Sequence, residues 1–312
     1  MHERQRIPPA LFRLAQVQGG VASRAQVMGL GMSGKAIRRL LLDGTWGRLD
    51  PGIYLVPDVQ PTWLSRVWAG LLIGGDQARA GGRAAAALQG LVDGEPVPIE
   101  ILVPVGVRLG ARDWVTFRQE RPGVRSISTR TEPPCTRVED TVLDLCAEGS
   151  ETGCVDWITT AVQRRLTTPD ALTRALQRRT RMPHRKFLTA VIDDAADGVH
   201  STLEYRYRHD VELAHHLPHG RRQKPGPGEF LDVLYEDYAV IVELDGQVGH
   251  VGAGRFRDRR RDNRHTKGNA KTLRYGWVEV NDDPCDTAWE VGELLAGRGW
   301  SGYPAKCPRC LR

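Results

Sequence analysis

Long apolar runs are missing from this 312-residue chain. The longest, Trp68 to Gly74, is far too short to cross a bilayer, which excludes a membrane-spanning helix. Clustered cysteines are also scarce. Six are scattered along the chain, and only Cys307 and Cys310 stand close together, so a disulfide-stapled secreted scaffold is excluded. The opening residues MHERQRIPPALFRLAQ have no apolar signal core. A reduced cytoplasmic protein with no membrane partner is expected.

What is abundant is positive charge. Lys and Arg number 44 against 38 Asp and Glu, for a formal net charge of +6, with Arg dominant and unevenly placed. Clustered guanidinium groups suit phosphate, because their planar fork makes bidentate contacts. The length allows two or three domains with a substantial core.

From Pro8 to Pro57 the pattern is helix, helix, helix, hairpin. Leu11, Leu14, Ala15 and Val17 form the stripe of a first helix ending at Gly19-Gly20. Ser23 with Gln26 is a capping-box pair for a second. Ser33 caps a third, SGKAIRRLLLDG, with Ile37, Leu40 and Leu41 inward and Lys35, Arg38 and Arg39 outward. TWGRLDPGIYLVP then alternates around Asp50-Pro51-Gly52 as a hairpin. This is the layout of a winged helix-turn-helix. In it Lys35, Arg38 and Arg39 would meet bases or phosphates, and Arg48 in the wing the backbone. A solvated surface or a protein-binding module would carry the same residues. The stretch from Gly19 to Pro57 resembles the N-terminal domain of AbiEi-type antitoxins, with its pattern of "gG..s..qa...G.s...ir.....G.w.r...G.Y".

The middle of the chain contains GGRAAAALQGL, a small-residue helix, and the strands IEILVPVG and WVTFRQ. PPCTRVEDTVLDLCAEG starts a helix with Thr136 and Glu139 as a capping pair. Its "P.t..e.T..Dl" pattern and the "AA..L.GL" piece resemble the middle of antitoxin-like regulators. Asp140 and Asp144 lie one turn apart, and acidic residues near a helix start are the simpler reading than a metal pair. Thr173 to Lys186 reads as a basic, linker-like solvated helix end; a contribution to DNA affinity without sequence preference is the lesser alternative.

From about Gly198 the chemistry-bearing residues begin. A helix carries STLEYRYRHDVELAHH, a short strand lies near Arg222, and EFLDVLY and AVIVELDG form a strand pair. A basic helix, a strand KTLRYGWVEV and a helix after Asp283-Pro284 follow. If Asp237-Tyr238 is the hairpin tip, opposed residues have numbers summing to about 475, which sets Asp232 against Glu243. One face is then Leu231, Val233 and Tyr235 against Leu244, Val242 and Val240. The other carries Phe230, Asp232 and Leu234 against Asp245, Glu243 and Ile241.

Like charges directly opposite destabilise a sheet. Asp232, Glu243 and Asp245 should therefore be partly protonated or answered by a cation. Hard oxygen donors suit Mg²⁺, with Mn²⁺ a substitute, and such an ion would activate water and stabilise a phosphodiester in displacement. A solvated edge is the plainer alternative. Glu204 is a further acid, or else the partner of Ser201 in a capping box.

Glu204, Asp232 and Glu243 in this order resemble the PD-(D/E)xK nuclease superfamily. STLE, FLDVLY, VELDGQVGH, RDRRRDN and LRYGWVEV together resemble the DUF559 family, relatives of the very short patch repair endonucleases. The resemblance implies a restriction-endonuclease-like core and metal-dependent DNA cleavage, with Glu204 as helix acid, Asp232 as central ligand and Glu243 as second strand acid. Asp245 stands where the superfamily has lysine and cannot supply its charge. It would instead join the metal ligands, with His250 as acid or base, or as a loop cap. Lys224 and Lys271 are weaker candidates for the displaced lysine.

Arg255 to Arg274 contains nine Lys or Arg in twenty residues. On a helix Arg257, Arg260, Arg261 and Arg264 share a face for DNA, or brace themselves against Asp258 and Asp262. CPRC at the end is half of a zinc knuckle; Cys285 and a histidine could complete it only by chance of folding, so it reads as a frayed tail.

The expected fold is α/β: a winged helix-turn-helix over 1–57, an α+β middle domain over 58–196, a restriction-endonuclease-like domain over 197–300 and a tail over 301–312. The expected function is a metal-dependent DNA endonuclease, nicking or otherwise. The alternative is an antitoxin-like regulator with a catalytically silent nuclease domain, partnered by DNA and by an unidentified toxin or other protein. An RNA-directed nuclease is a third reading.

Overall fold

Three capped helices open the chain. In this computed structural model, which describes residues 5–57, 60–128, 131–199, 201–225, 230–244 and 270–310, α1 is Pro9–Val17, α2 Arg24–Gly29 and α3 Gly34–Leu42. Ser23 and Gln26 form the expected capping box, and the Ser33 hydroxyl accepts from the Ala36 N–H at 3.2 Å. These bonds satisfy N–H groups that the first helical turn leaves without partners. The hairpin is β2, Gly47–Asp50, and β3, Ile53–Leu55. At its turn Gly52 takes a positive φ that a side chain would resist.

A short strand that periodicity does not reveal, β1 (Val21–Ser23), completes a sheet of order β1-β3-β2. Leu11, Ala15, Val27, Ile37, Leu40 and Trp46 form the core beneath. Val17, expected on the inner stripe, is instead exposed, because α1 ends there and the chain turns away at Gly19-Gly20.

The chain divides into two compact units. The first is Met1–Gly149 with Arg174–Pro183, and the second is Ser150–Thr173 with His184–Arg312. Within the first, α4 (Trp63–Gly74) packs on the winged-helix sheet through Ala69 against Val21, Ile53 and Leu55. The small-residue helix α5 (Gly82–Leu88) buries Ala84, Ala85 and Ala86. Strands β4 (Arg79–Ala80), β5 (Ile99–Pro104) and β6 (Val115–Glu120) form a sheet in that order, with β5 and β6 parallel.

α6 (Val138–Glu148) differs from expectation at its start. Its N-cap is Arg137, and the Thr136 hydroxyl bonds that of Thr141 at 2.7 Å instead of capping. Asp140 and Asp144 on this helix are buried, and one guanidinium spans them: Arg179 reaches Asp140 at 2.9 Å and Asp144 at 3.0 Å. Arg125 also pairs with Asp144 at 2.5 Å and Glu120 at 3.1 Å. The basic stretch from Thr173 is therefore not wholly a solvated end, since Arg179 is only 8% exposed. Charges this deep persist only when paired and hydrogen-bonded.

In the second unit α7 (Glu151–Gln163) packs on α9 (Arg185–Ala196) and α10 (Thr202–Arg206). α8, Pro169–Arg178, begins in the second unit and ends in the first, since the division falls at Thr173. α10 runs on into a π-helical turn, Tyr207–Leu213. A four-stranded sheet follows: β7 (Arg221–Pro225), β8 (Phe230–Tyr235) and β9 (Val240–Leu244) form an antiparallel meander, and β10 (Lys271–Tyr275) lies parallel to β9. A 3-10 turn, Glu236–Tyr238, makes the hairpin tip.

Trp277 to Asn281, expected as the end of a strand, is a helix, α11. The sheet stops at Gly276, whose N–H donates to the Glu279 carboxylate at 3.0 Å and so starts the helix. α12 is Pro284–Ala296. Val211, Val233, Val242, Val280, Val291 and Leu295 are part of the core. Behind the sheet Glu212 pairs with Arg222 and accepts from the Tyr235 hydroxyl at 2.7 Å. Burial holds the Tyr207 and Tyr235 phenols well above the usual range.

Removing the cation from α6 should be costly. Arg179→Met should lower the unfolding free energy of the first unit by about 3–5 kcal/mol in urea denaturation, because buried Asp140 loses the cation that spans it and Asp144 keeps only Arg125. A loss below about 1 kcal/mol would mark the pairs as solvated and weak.

Candidate nucleic-acid interface and carboxylate pair

The inward side of α3 is apolar, with Ala36, Ile37 and Leu40 buried. That burial fixes the rotation of the helix and so decides which cations face water. Lys35 and Arg38 are exposed, and so is Arg48 on β2. Arg39 is half-buried, and its guanidinium donates to the Gln5 carbonyl at 3.3 Å, so it is partly engaged within the chain.

Between α3 and the hairpin lies a concavity of about 880 Å³ whose lining includes Arg24, Arg38, Arg48, Leu42, Trp46 and Tyr54. Arg24 is a cation that sequence reasoning missed. It sits at the first position of α2, where its N–H donates to the Gly52 carbonyl at 2.7 Å. Its guanidinium reaches the Tyr54 hydroxyl at 3.5 Å. Only the return of the hairpin against α2 brings it to this face, and no local periodicity signals that. Three arginines around one hollow make a surface that attracts anions and can fork onto phosphate oxygens.

On the second unit the strand register is the expected one. Val233 faces Val242, Leu234 faces Ile241 and Tyr235 faces Val240. Continued by one residue, the same register sets Asp232 opposite Glu243. The Asp232 carboxylate accepts from the Leu244 N–H at 2.8 Å, which ties it to the partner strand.

Glu243 is 8% exposed, and its carboxylate accepts from the Arg274 guanidinium at 2.8 Å. Arg274 is its register partner on β10. The counter-charge that the carboxylates call for is thus provided in part by Arg274, the last residue of the basic Arg255–Arg274 stretch, whose pairing with Glu243 the sequence does not signal. Parallel pairing of β9 and β10, across an intervening stretch of chain, is what places it there.

Glu204 is buried near the start of α10. Its backbone N–H donates to the Ser201 hydroxyl at 3.1 Å, and its carboxylate accepts from that hydroxyl at 3.3 Å and from Gln223 at 3.5 Å. Ser201 is thus the cap of α10, through the Glu204 N–H.

Among the described residues, Glu204, Asp232 and Glu243 do not bring their oxygens together within 4.8 Å as a set of three. Asp245, His250, Arg257, Arg260, Arg261 and Arg264 lie outside the described residues. Lys271 opens β10 opposite Val240 and is exposed. No helix among the described residues is long and apolar enough to cross a membrane.

Comparison with known proteins bears on the first of these two sites. No curated protein matches the chain. A solved structure, the RV2827C protein from Mycobacterium tuberculosis, aligns with 18% identity and a TM-score of 0.40, over 60% of this chain and 78% of that one. Residues 9–57 match the family described as transcriptional regulator, AbiEi antitoxin, so the three helices and hairpin are an antitoxin-like regulator domain at the N-terminal end of the chain.

Proposed function

We propose that this protein is a DNA-binding transcriptional regulator of the antitoxin kind, which holds DNA through α3 and the wing. The observation that carries this reading is the hollow between them. It is bordered by Arg24, Arg38 and Arg48, and it sits on the domain that matches the regulator family. In the complex α3 would enter the major groove, with Lys35 and Arg38 at its exposed side and Arg48 on the flanking phosphates. A toxin-type protein is the partner class that an antitoxin-like domain implies.

Each phosphate contact releases counterions, so affinity should fall steeply with salt. Arg38→Ala and Arg48→Ala should each weaken binding, with a shallower dependence of log K on log salt, by about one unit of slope where one phosphate contact is lost. Unchanged slopes in fluorescence-anisotropy titrations of both variants would remove these residues from the interface.

One observation favours a second reading, a Mg²⁺- or Mn²⁺-dependent endonuclease. Glu204 on a helix is followed by Asp232 and Glu243 on adjacent antiparallel strands, the order of acids that the PD-(D/E)xK resemblance implies. In that reading Asp232, Glu243 and Asp245 hold the ion, and Glu204 and His250 support them. Arg274 weighs against it, because a guanidinium already answers Glu243. The regulator reading predicts that supercoiled DNA stays intact with the protein and Mg²⁺ or Mn²⁺. Metal-dependent nicking by the wild type that disappears in Asp232→Ala would favour the nuclease instead.

A further inference from the structure

The last residues of the described chain are not a frayed tail. Tyr303 stacks edge-on against Trp289 with ring centroids 5.0 Å apart, and the Ala305 N–H donates to the His215 carbonyl at 2.8 Å. Gly292 on α12 leaves room for Pro304: a Cβ there would lie 2.2 Å from the proline ring. The tail is thereby carried across α12 to the end of the π-helical turn, and Cys307 is only 4% exposed.

Four side chains meet at this point: His215, Cys285, Cys307 and Cys310 place one ligand atom each within 4.8 Å of one another. The Cys285 and Cys307 sulfurs are 3.6 Å apart, those of Cys307 and Cys310 3.7 Å, and the Cys310 sulfur is 3.5 Å from His215 Nε2. A disulfide needs about 2.05 Å, so these are separate thiols. Around a tetrahedral zinc, bonds of about 2.3 Å to sulfur and 2.0–2.1 Å to nitrogen place two sulfurs about 3.8 Å apart and a sulfur and nitrogen about 3.6 Å apart. The observed edges are those of such a tetrahedron.

The surroundings are arranged in the same sense. His215 is fully buried, and its Nδ1 lies 3.1 Å from the Val211 carbonyl, which can only accept. The proton is therefore on Nδ1 and the Nε2 lone pair points at the thiols, the tautomer a metal-binding imidazole requires. Cys307 and Cys310 close a tight turn, with the Cys310 N–H donating to the Cys307 carbonyl at 3.0 Å. The spacing is that of a zinc-knuckle half, and the second half comes from Cys285 at the start of α12 and His215, far apart in the sequence.

We propose that His215, Cys285, Cys307 and Cys310 bind one Zn²⁺ as a closed structural site. On binding, the three thiols release their protons to solvent and the imidazole stays neutral, so the centre carries a net charge of −1. Four protein ligands leave no open position, so the ion is a clamp and takes part in no reaction. It fastens the tail and α12 to the helix that carries Val211 and Glu212, behind the sheet of Asp232 and Glu243. The site is distinct from the carboxylate pair and does not depend on which functional reading holds.

The test is metal analysis of the purified full chain by mass spectrometry, without added metal. About one zinc per chain is expected. It should be lost, with a lower thermal midpoint, in the double variant Cys307→Ser/Cys310→Ser, and retained in Asp232→Asn. Should the double variant fail to fold, wild-type chain stripped with a chelator and titrated with Co²⁺ gives the answer. One equivalent should produce thiolate-to-cobalt charge-transfer absorption and the visible bands of a tetrahedral site, both reversed by Zn²⁺. A metal-free chain that gives no thiolate band with Co²⁺, zinc retained in the folded double variant, or a disulfide between any two of these cysteines would overturn the proposal.

Discussion

A carboxylate inside a fold must be met by a cation, and in this protein the cation is repeatedly arginine. Arg179 spans Asp140 and Asp144, Arg125 joins Asp144 to Glu120, Arg222 answers Glu212 and Arg274 answers Glu243. Desolvating Arg179 or its two aspartates alone would be costly, so those pairs fix where two segments distant in sequence meet, whereas Arg274 stays partly exposed beside Glu243. The high Arg content, which from composition alone suggests phosphate binding, is thus partly internal. Among the described residues Lys35, Arg38 and Arg48 are in no ion pair, and they cluster on the domain that matches a regulator family.

That division explains what could be read in advance. The winged helix was legible because capping pairs, an amphipathic stripe and a Pro-Gly turn are local signals. The β8–β9 register was legible because a slip of one residue would turn Val233 and Val242 off the core face. The partner of Glu243 was not, since parallel pairing of β9 with β10 is long-range and leaves no periodic trace. The same holds for Arg179, whose charge looked solvated in a basic stretch, and for Arg24, which reaches the hollow only when the hairpin folds back. Trp277 to Asn281 alternates like a strand, but Gly276 and the Glu279 carboxylate turn it into a helix. His215 and Cys285 could not be linked to the terminal CPRC by spacing, because the tail and α12 meet them only in three dimensions.

The two units thereby take different roles. The first presents cations around a hollow on a rigid, capped helix. The second sets Asp232 opposite Glu243 on adjacent strands, with a guanidinium against one of the acids. Under the regulator proposal DNA would be held by the first unit, and the acids of the second would be structural. In that account Glu243 and Arg274 act as a strand-bridging pair.

The most direct test of the account is hydrogen exchange of the full chain, with and without a DNA duplex that it binds. The account predicts new protection concentrated in α3 and the wing, from Ser33 to Leu55. Protection confined to the second unit, with α3 and the wing unchanged, would contradict it.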